Sequence, residues 1–236
     1  MPENIINFKG IKFYNYNFDQ LLNKINKGGL LVAPAASALT NISKNKIYHN
    51  SLKKSDVAIF DSGFFCILLR FLKGKKVSKF SGYRFLKKFL NNELIKNKKI
   101  LLIDPSRKDS QINRSYLKKQ KIYLSKSYIA PIYTSNNIKD KKLIKIIKKY
   151  KPRYVIINIG GETQEILGLY IKKNITFKSS IICTGAAIAF LTKRQAPIND
   201  FIDNLYLGWL LRTLFNPRKF FLRTIRSLSL IKQFYN

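Results

Sequence analysis

Short apolar runs alternate with longer amphipathic stretches along most of the chain. Six runs of 4–6 residues are rich in Ile, Val and Leu: Leu30–Ala33, Val57–Phe60, Ile100–Ile103, Lys121–Leu124, Tyr154–Ile159 and Ile181–Thr184. This pattern is typical of parallel strands that are covered on both faces. The stretches between them have helical spacing: Phe18–Asn26, Ala36–Lys46, Phe64–Leu72, Tyr83–Asn91, Ser110–Lys119, Lys139–Tyr150 and Gln164–Lys173. The alternation predicts an α/β fold with a Rossmann-like, mostly parallel sheet of about six strands flanked by helices.

The alternation ends at about Asn199, and the rest of the chain is predicted to form two helices. In the second, Asn216 is a capping residue and Pro217 suits the first helical position. Its apolar and basic side chains fall on opposite faces: Phe220, Phe221, Ile225, Leu228 and Ile231 against Lys219, Arg223 and Arg226. Such a helix is typical of a membrane surface, and the alternative is a terminal helix docked on the domain with its basic face in water. We therefore divide the chain into an α/β catalytic domain, residues 1–198, and a basic helical membrane-docking appendage, residues 199–236.

The composition of the chain indicates which kinds of partner and site the protein can have. Lys and Arg number 45 against 12 Asp and Glu, a net charge of +33, which predicts an anionic partner such as nucleic acid, anionic lipid or a phosphorylated substrate. One His and two Cys exclude a multi-histidine metal centre and a disulfide scaffold, so we expect no metal. No apolar run approaches the 18 or more residues of a membrane span. We expect a cytoplasmic protein that meets the membrane only from its surface.

Residues that follow the predicted strands are the candidates for chemistry, because ligands of α/β sheets bind at the carboxyl ends of the strands. Asp61 follows Val57–Phe60 and is either a general base or the cap of the next helix. Asp104 has the same ambiguity, with a capping or turn-making role favoured. Gly160-Gly161 precedes a helix, where free backbone N–H groups favour an anion.

Read together, these segments resemble the WecG/TagA/CpsF family of bacterial glycosyltransferases. The family has an Asp-Gly-type turn, Arg-x-x-Gly, Gly-x-Pro-x-Gln-Glu, Lys/Arg-Arg-Ala-Pro, Glu-Trp-x-x-Arg and Pro-x-Arg, in this order. The matching segments cover roughly residues 30 to 225: Asp61-Ser62-Gly63, Lys79-Phe80-Ser81-Gly82, Gly161-Glu162-Thr163-Gln164-Glu165, Arg194-Gln195-Ala196-Pro197, Gly208-Trp209-Leu210-Leu211-Arg212 and Pro217-Arg218.

The resemblance implies an inverting, metal-independent enzyme that moves a sugar of N-acetylmannosamine type from a UDP-sugar to an undecaprenyl-diphosphate-linked sugar in cell-surface polysaccharide biosynthesis. Asp61 is the catalytic candidate. The donor-binding candidates, which include the glycine after the last predicted strand, are Lys79, Ser81, Gly82, Gly160, Gly161, Gln164, Glu165 and Gly185. The candidates for binding the diphosphate or the acceptor lipid are Arg194, Arg212, Arg218 and Arg223. The expected partners are the donor, the lipid-linked acceptor and an anionic membrane on the inner face of the plasma membrane. No cofactor is expected, and a homo-oligomer is left open.

Four departures from the family pattern keep alternatives open. The family's Thr-x-Asn after the first strand is Ala33-Pro34-Ala35 here, and its arginines and glutamate are replaced by Lys79, Gln195 and Gly208. These changes also suit a catalytically weak member that serves as a scaffold in polysaccharide assembly. A basic nucleic-acid-binding protein is the less favoured alternative: 13 Tyr and 17 Phe would provide stacking surfaces, but no nucleic-acid motif is present.

Overall fold

A computed structural model describes residues 4–133, 138–195, 214 and 217–235, with the backbone alone at 219 and 220. Its strands are β1 (Ile5–Phe8), β2 (Ile11–Tyr14), β3 (Gly29–Val32), β4 (Val57–Ile59), β5 (Ile100–Asp104), β6 (Ser125–Ile129), β7 (Tyr154–Ile157) and β8 (Ser180–Cys183). They form one sheet in the order β1-β2-β4-β3-β8-β7-β5-β6. β1 is antiparallel to β2, and the other neighbouring strands are parallel. The predicted α/β class with a mostly parallel sheet is confirmed.

Helices follow most of the strands. They are α1 (Phe18–Ile25), α2 (Ala36–Leu39), α3 (Lys46–Lys53), α4 (Gly63–Lys73), α5 (Gly82–Leu90), α6 (Glu93–Lys96), α7 (Arg107–Lys119), α8 (Lys141–Tyr150), α9 (Thr163–Asn174), α10 (Ala187–Leu191) and α11 (Pro217–Leu228), with a 3-10 turn at Ser229–Phe234. Within the described part of the chain, no helix is both long and apolar enough to cross a membrane.

The strand pleat divides the core between the two faces of the sheet. On β3, Leu30 and Val32 join a core with α2, α3, α4, α8 and α9, whereas Leu31 packs on the other face with α1, α5, α6, α7 and α10. The central strands β5, β7 and β8 are buried at every position. This two-sided burial explains why their sequences are continuous apolar runs.

The structure differs from the prediction where strands are not buried on both faces. β6 (Ser125–Ile129) begins four residues later than the strand predicted at 121–124. The prediction missed its position because β6 is an edge strand with polar and half-exposed residues. Ile122 of the predicted run is a buried loop residue instead. β1 and β2 were not predicted. They form a hairpin whose two-residue turn, Lys9-Gly10, has positive φ at both positions.

The predicted helix at 36–46 is helical only over its first four residues, and a helix that was not predicted begins at its last residue. α2 ends at Leu39, and α3 begins at Lys46 because the Asn45 side chain accepts a hydrogen bond from the Tyr48 N–H at 3.0 Å. Asn is a preferred N-cap residue, and a cap inside an amphipathic run starts a new helix. The break turns the second segment so that Tyr48 and Leu52 pack into the core.

The C-terminal segment is docked on the α/β core through its last turn. Leu230 and Phe234 of the 3-10 turn are buried, and the Phe234 ring centroid lies 4.8 Å from that of Phe8 on β1. Gln233 Nε2 donates to the Thr40 backbone oxygen at 3.2 Å. α11 also contacts α2. The boundary of the predicted appendage at 198/199 falls outside the described residues, so the division into two parts stays a prediction.

Candidate active site

A cavity lies at the centre of the sheet, where the connections that follow two neighbouring strands run to opposite faces. β3 and β8 are neighbours, but α2 after β3 packs on one face and α10 after β8 packs on the other. The two connections therefore separate at the carboxyl ends of these strands, the position where α/β sheets bind their ligands. The cavity has a volume of about 570 Å³, within the range of small-molecule sites.

Most of the sequence-predicted site residues that the structure describes line this cavity. They are Asp61, Gly160, Gly161, Gln164, Glu165, Gly185, Arg194 and Arg223. Ala33, Ala35 and Gln195, three of the departures from the family pattern, also line it. Arg212, Trp209, Gly208 and the turn at 196–197 lie outside the described residues.

Asp61 comes two residues after the end of β4, and its carboxylate does not cap the following helix. Ser62 caps α4, because its side chain accepts a hydrogen bond from the Phe65 N–H at 3.2 Å. The Asp61 Oδ1 instead accepts from the Gly82 N–H, the first residue of α5, at 2.7 Å. The carboxylate is thus held at the cavity wall by the N-terminus of a different helix. Of the two roles that the sequence left open for Asp61, the structure gives the capping role to Ser62.

The Lys79–Gly82 segment supports Asp61 from behind. Ser81 is buried and caps α5 by accepting from the Arg84 N–H at 3.1 Å. Gly82 packs so tightly that a Cβ there would lie 3.2 Å from the Thr184 Cβ and 3.3 Å from the Ala33 Cβ. Lys79 is half-buried. Burial raises the pKa of the Cys66 thiol, and the positive charge of Lys79 opposes part of this rise. These three predicted donor-binding residues are not among the residues that line the cavity.

The loop between β7 and α9 faces the cavity with its backbone exposed. A Cβ built on Gly160 or Gly161 meets no atom within 4 Å, so the space in front of both residues is open. Glu162 has a positive φ of 68°, which is unusual for a residue with a side chain. Its carboxylate accepts hydrogen bonds from Asn41 Nδ2 at 2.7 Å and Asn45 Nδ2 at 3.4 Å. The N-terminus of α9, which favours an anion, therefore already has a carboxylate beside it.

Gln164 links the two loops that form the mouth of the cavity. Its Oε1 accepts from the Gly185 N–H after β8 at 2.8 Å, and its Nε2 donates to Glu165 Oε1 at 2.8 Å. Glu165 is 1% exposed, and its Oε2 has no hydrogen-bond partner in the described residues. Burial raises the pKa of Glu165 to about 7, which the hydrogen bond from Gln164 partly opposes. A buried carboxyl group with a pKa near neutral pH is thus among the residues that line the cavity.

A second polar network closes the side of the cavity next to β5. Asn113 Nδ2 and Asn158 Nδ2 each donate to Asp104 Oδ1 at 2.7 Å. Arg194 Nη2 donates to Asn113 Oδ1 at 2.6 Å, and Arg194 also forms an ion pair with Asp109. Burial raises the pKa of Asp104. The capping role expected for Asp104 is wrong, because Ser106 caps α7 and Asp104 is a fully buried residue of β5.

α11 brings cationic side chains to the cavity. Arg223 and Arg226, about one turn apart, both line it. Arg218, on the same helix, is exposed and is not among the described residues at the cavity wall. The structure therefore separates the predicted arginines: Arg194 and Arg223 meet at the cavity, and Arg218 does not join them.

Several cavity residues were missed by sequence reasoning. They are Asn41, Asn158, Glu162 and Arg226. Asn158 follows β7 directly and is the one amide in the predicted run 154–159, a signal that marked a strand end. Asn41 had no such signal, since its contact with Glu162 joins positions 121 residues apart. Across the described ranges, no three His, Cys, Asp or Glu side chains are grouped to hold a metal ion.

A comparison with models of protein families identifies the family of the chain. The sequence profile of the "Glycosyl transferase WecG/TagA/CpsF family" matches residues 6–234, nearly the whole chain. A search of curated proteins finds no match. The matched range includes both the cavity-lining loops and the docked C-terminal segment.

Proposed function

The chain belongs to the WecG/TagA/CpsF family of glycosyltransferases, and from this premise we propose that it transfers a sugar of N-acetylmannosamine type from a UDP-sugar to an undecaprenyl-diphosphate-linked sugar. The reaction would contribute to a cell-surface polysaccharide and would invert the anomeric centre without a metal ion. The membrane-bound acceptor would be met at the inner face of the plasma membrane.

The position of Asp61 carries this proposal. Its carboxylate is at the carboxyl end of β4 and at the cavity wall, and Ser62 rather than Asp61 caps the next helix. In a single displacement, the acceptor hydroxyl oxygen forms a bond to the anomeric carbon while the bond from that carbon to the UDP oxygen breaks. Asp61 takes the hydroxyl proton, and UDP leaves with the electron pair of the broken bond.

The charges around the cavity support an orientation for the donor. Arg223 and Arg226 on α11 suit the diphosphate, whose negative charge grows as UDP leaves. The carboxylate of Glu162, which Asn41 and Asn45 hold at the start of α9, disfavours a phosphate beside it and would accept hydrogen bonds from sugar hydroxyls. We therefore place the diphosphate toward α11 and the transferred sugar toward the β7–α9 loop, with the Gly160-Gly161 backbone beside it.

A transfer assay tests the proposal. The full-length protein is incubated with a panel of UDP-sugars and either a lipid-diphosphate-sugar acceptor or its water-soluble analogue, with and without EDTA. We expect transfer from a UDP-N-acetylhexosamine that persists in EDTA. Alanine at Arg223 and Arg226 should raise the donor KM by about tenfold or more, and alanine at Arg218 should change it little. No transfer with any donor would contradict the activity, and loss of transfer in EDTA with recovery in Mg²⁺ would contradict the metal-independent mechanism.

A further inference from the structure

α4 leaves apolar side chains in solvent although the helix is mostly buried. Phe65, Leu68 and Leu69 pack into the core, but Ile67 is 41% exposed and Phe71 is 78% exposed. Ile67 and Phe71 are four residues apart and therefore lie on the same side of the helix. Arg70, also exposed, lies on the adjoining side of the helix, and Lys73 is exposed at its last residue. The exposed part of α4 thus combines an aliphatic and an aromatic side chain with two cations.

This face belongs to a larger surface. The 3-10 turn contacts both α4 and α11, and Phe234 of the turn packs against Phe65 of α4 with ring centroids 6.1 Å apart. α11 also leaves large apolar side chains exposed: Phe221, Leu222, Ile225 and Leu228. The 3-10 turn therefore connects α4 to α11, and each of these two helices has its own set of exposed apolar and basic residues. Single exposed apolar residues are normal on proteins, but a set of this size marks an interaction site.

The positive charge of this surface indicates which kind of partner it binds. The sequence has no Asp or Glu between Asp61 and Glu93 and none after Asp203, so neither α4 nor α11 carries an acidic residue. A second copy of the chain would bring +33 against +33, which opposes self-association through this surface. Basic residues beside exposed aromatic and aliphatic ones suit an anionic lipid surface. We infer that the exposed face of α4 extends the membrane-docking surface predicted for α11, so that both helices contact an anionic bilayer.

The inference deepens the proposed function and rests on it in one respect, the delivery of a lipid-linked acceptor. α4 begins two residues after Asp61, and α11 carries Arg223 and Arg226 to the cavity. The two helices that would contact the bilayer are thus the two that flank the proposed chemistry. A sugar that extends from the bilayer on its diphosphate would enter between them.

Vesicle co-sedimentation of the full-length protein tests the role of α4. The vesicles contain phosphatidylcholine with or without one-third phosphatidylglycerol, at low and high salt. Phe71→Ser should weaken the partition onto anionic vesicles by about fivefold. Arg70→Glu with Lys73→Glu should weaken it by about tenfold or more at low salt and less at high salt. Both substitutions are at exposed positions, so the variants are expected to fold.

Matched controls lie on the opposite face of the sheet. Leu94→Ser on α6 removes an apolar side chain that is 65% exposed, and Lys118→Glu with Lys119→Glu on α7 reverses the same number of charges. These should keep most of the wild-type partition. Equal losses in controls and α4 variants, or wild-type binding by the α4 variants, would overturn the inference. So would a dimer in sedimentation velocity that Phe71→Ser dissociates.

Activity separates the failure of this inference from the failure of the proposed function. Transfer to the water-soluble acceptor analogue should be the same in wild type and Phe71→Ser, because Phe71 is not a cavity residue. If wild type transfers no sugar but binds anionic vesicles through α4, the proposed function fails and the docking surface stands. If transfer is normal and the α4 variants bind vesicles as wild type does, only the docking surface fails.

Discussion

At the scale of single residues, the structure separates the helix cap from the residue that is proposed as the general base. Asp61 and Ser62 are adjacent, but Ser62 caps α4 while Asp61 is held by the Gly82 N–H at the cavity wall. A cap affects the stability of the helix, whereas a general base affects turnover. The two effects can therefore be measured separately in this chain.

Asp61→Asn should lower kcat by about 10²-fold or more, because an amide cannot take the acceptor proton. The variant keeps an oxygen for the Gly82 N–H, so its thermal stability and its donor binding should change little. Steady-state kinetics under conditions where chemistry limits the rate check this. Ser62→Ala is the control: it should cost about 1 kcal/mol of stability and leave kcat near that of wild type. An Asp61→Asn enzyme with wild-type kcat would remove Asp61 from the mechanism.

Glu165 should make the protein less stable as pH rises. Its pKa is raised from 4.5 in the unfolded chain to about 7 in the fold, so the folded state binds more protons between these values. Stability is therefore highest below pH 4.5 for this group and falls as pH rises through 7, by about 3 kcal/mol in all. Glu165→Gln should remove this slope, so that urea unfolding gives similar stability at pH 5 and a gain over wild type at pH 8. Parallel pH profiles for the two proteins would contradict it.

At the scale of elements, the last turn of the chain holds the C-terminal helix in place. Leu230 and Phe234 are buried, and Phe234 packs against Phe8 of β1 and Phe65 of α4. α11, which precedes them, lines the cavity with Arg223 and Arg226. The turn is thus a structural anchor for residues that are proposed to bind the diphosphate. Removing the anchor should affect stability and donor binding together.

Phe234→Ala should lower the free energy of unfolding by about 3 kcal/mol, since a buried aromatic ring is lost next to Phe8 and Phe65. It should also raise the donor KM, because α11 loses its attachment beside the cavity. Urea unfolding and donor titration measure the two effects. The neighbouring Tyr235 is 74% exposed, and Tyr235→Ala should change stability by less than about 0.5 kcal/mol. Equal effects of the two substitutions would mean that the turn is not an anchor.

The sequence predicts elements well where burial is two-sided and less well where it is not. β5, β7 and β8 were found because every position is buried, whereas the edge strand β6 and the β1–β2 hairpin were misplaced or missed. Asp61 was found because a polar residue after an apolar run marks a strand end. The contact of Asn41 with Glu162 depends on the neighbouring positions of β3 and β8, which local patterns do not contain.

At the scale of the whole molecule, charge is far from balance. The 45 basic residues outnumber the 12 acidic ones, so at least 33 cationic side chains have no acidic residue to match. Folding brings these charges closer together, and their mutual repulsion opposes the compact state. Salt screens this repulsion, so stability should depend on ionic strength.

The melting temperature should rise by about 5 °C between 10 mM and 300 mM NaCl, measured by circular dichroism. The variant with Lys118→Glu and Lys119→Glu loses two positive charges and gains two negative ones, so it should melt higher than wild type at low salt and gain less from added salt. A melting temperature that is constant or falls with salt would show that the charges are already spread widely enough to have little effect.

The packing of Phe234 on Phe8 also bears on how the chain folds. This contact and the pairing of β3 with β8 join segments that are far apart along the sequence. Contacts between distant segments form slowly, because the long loop between them must close first. The core and the cavity at β3 and β8 are therefore completed late in folding. Until then, the apolar side chains of the β1–β2 hairpin and of α4 stay exposed in a strongly basic chain.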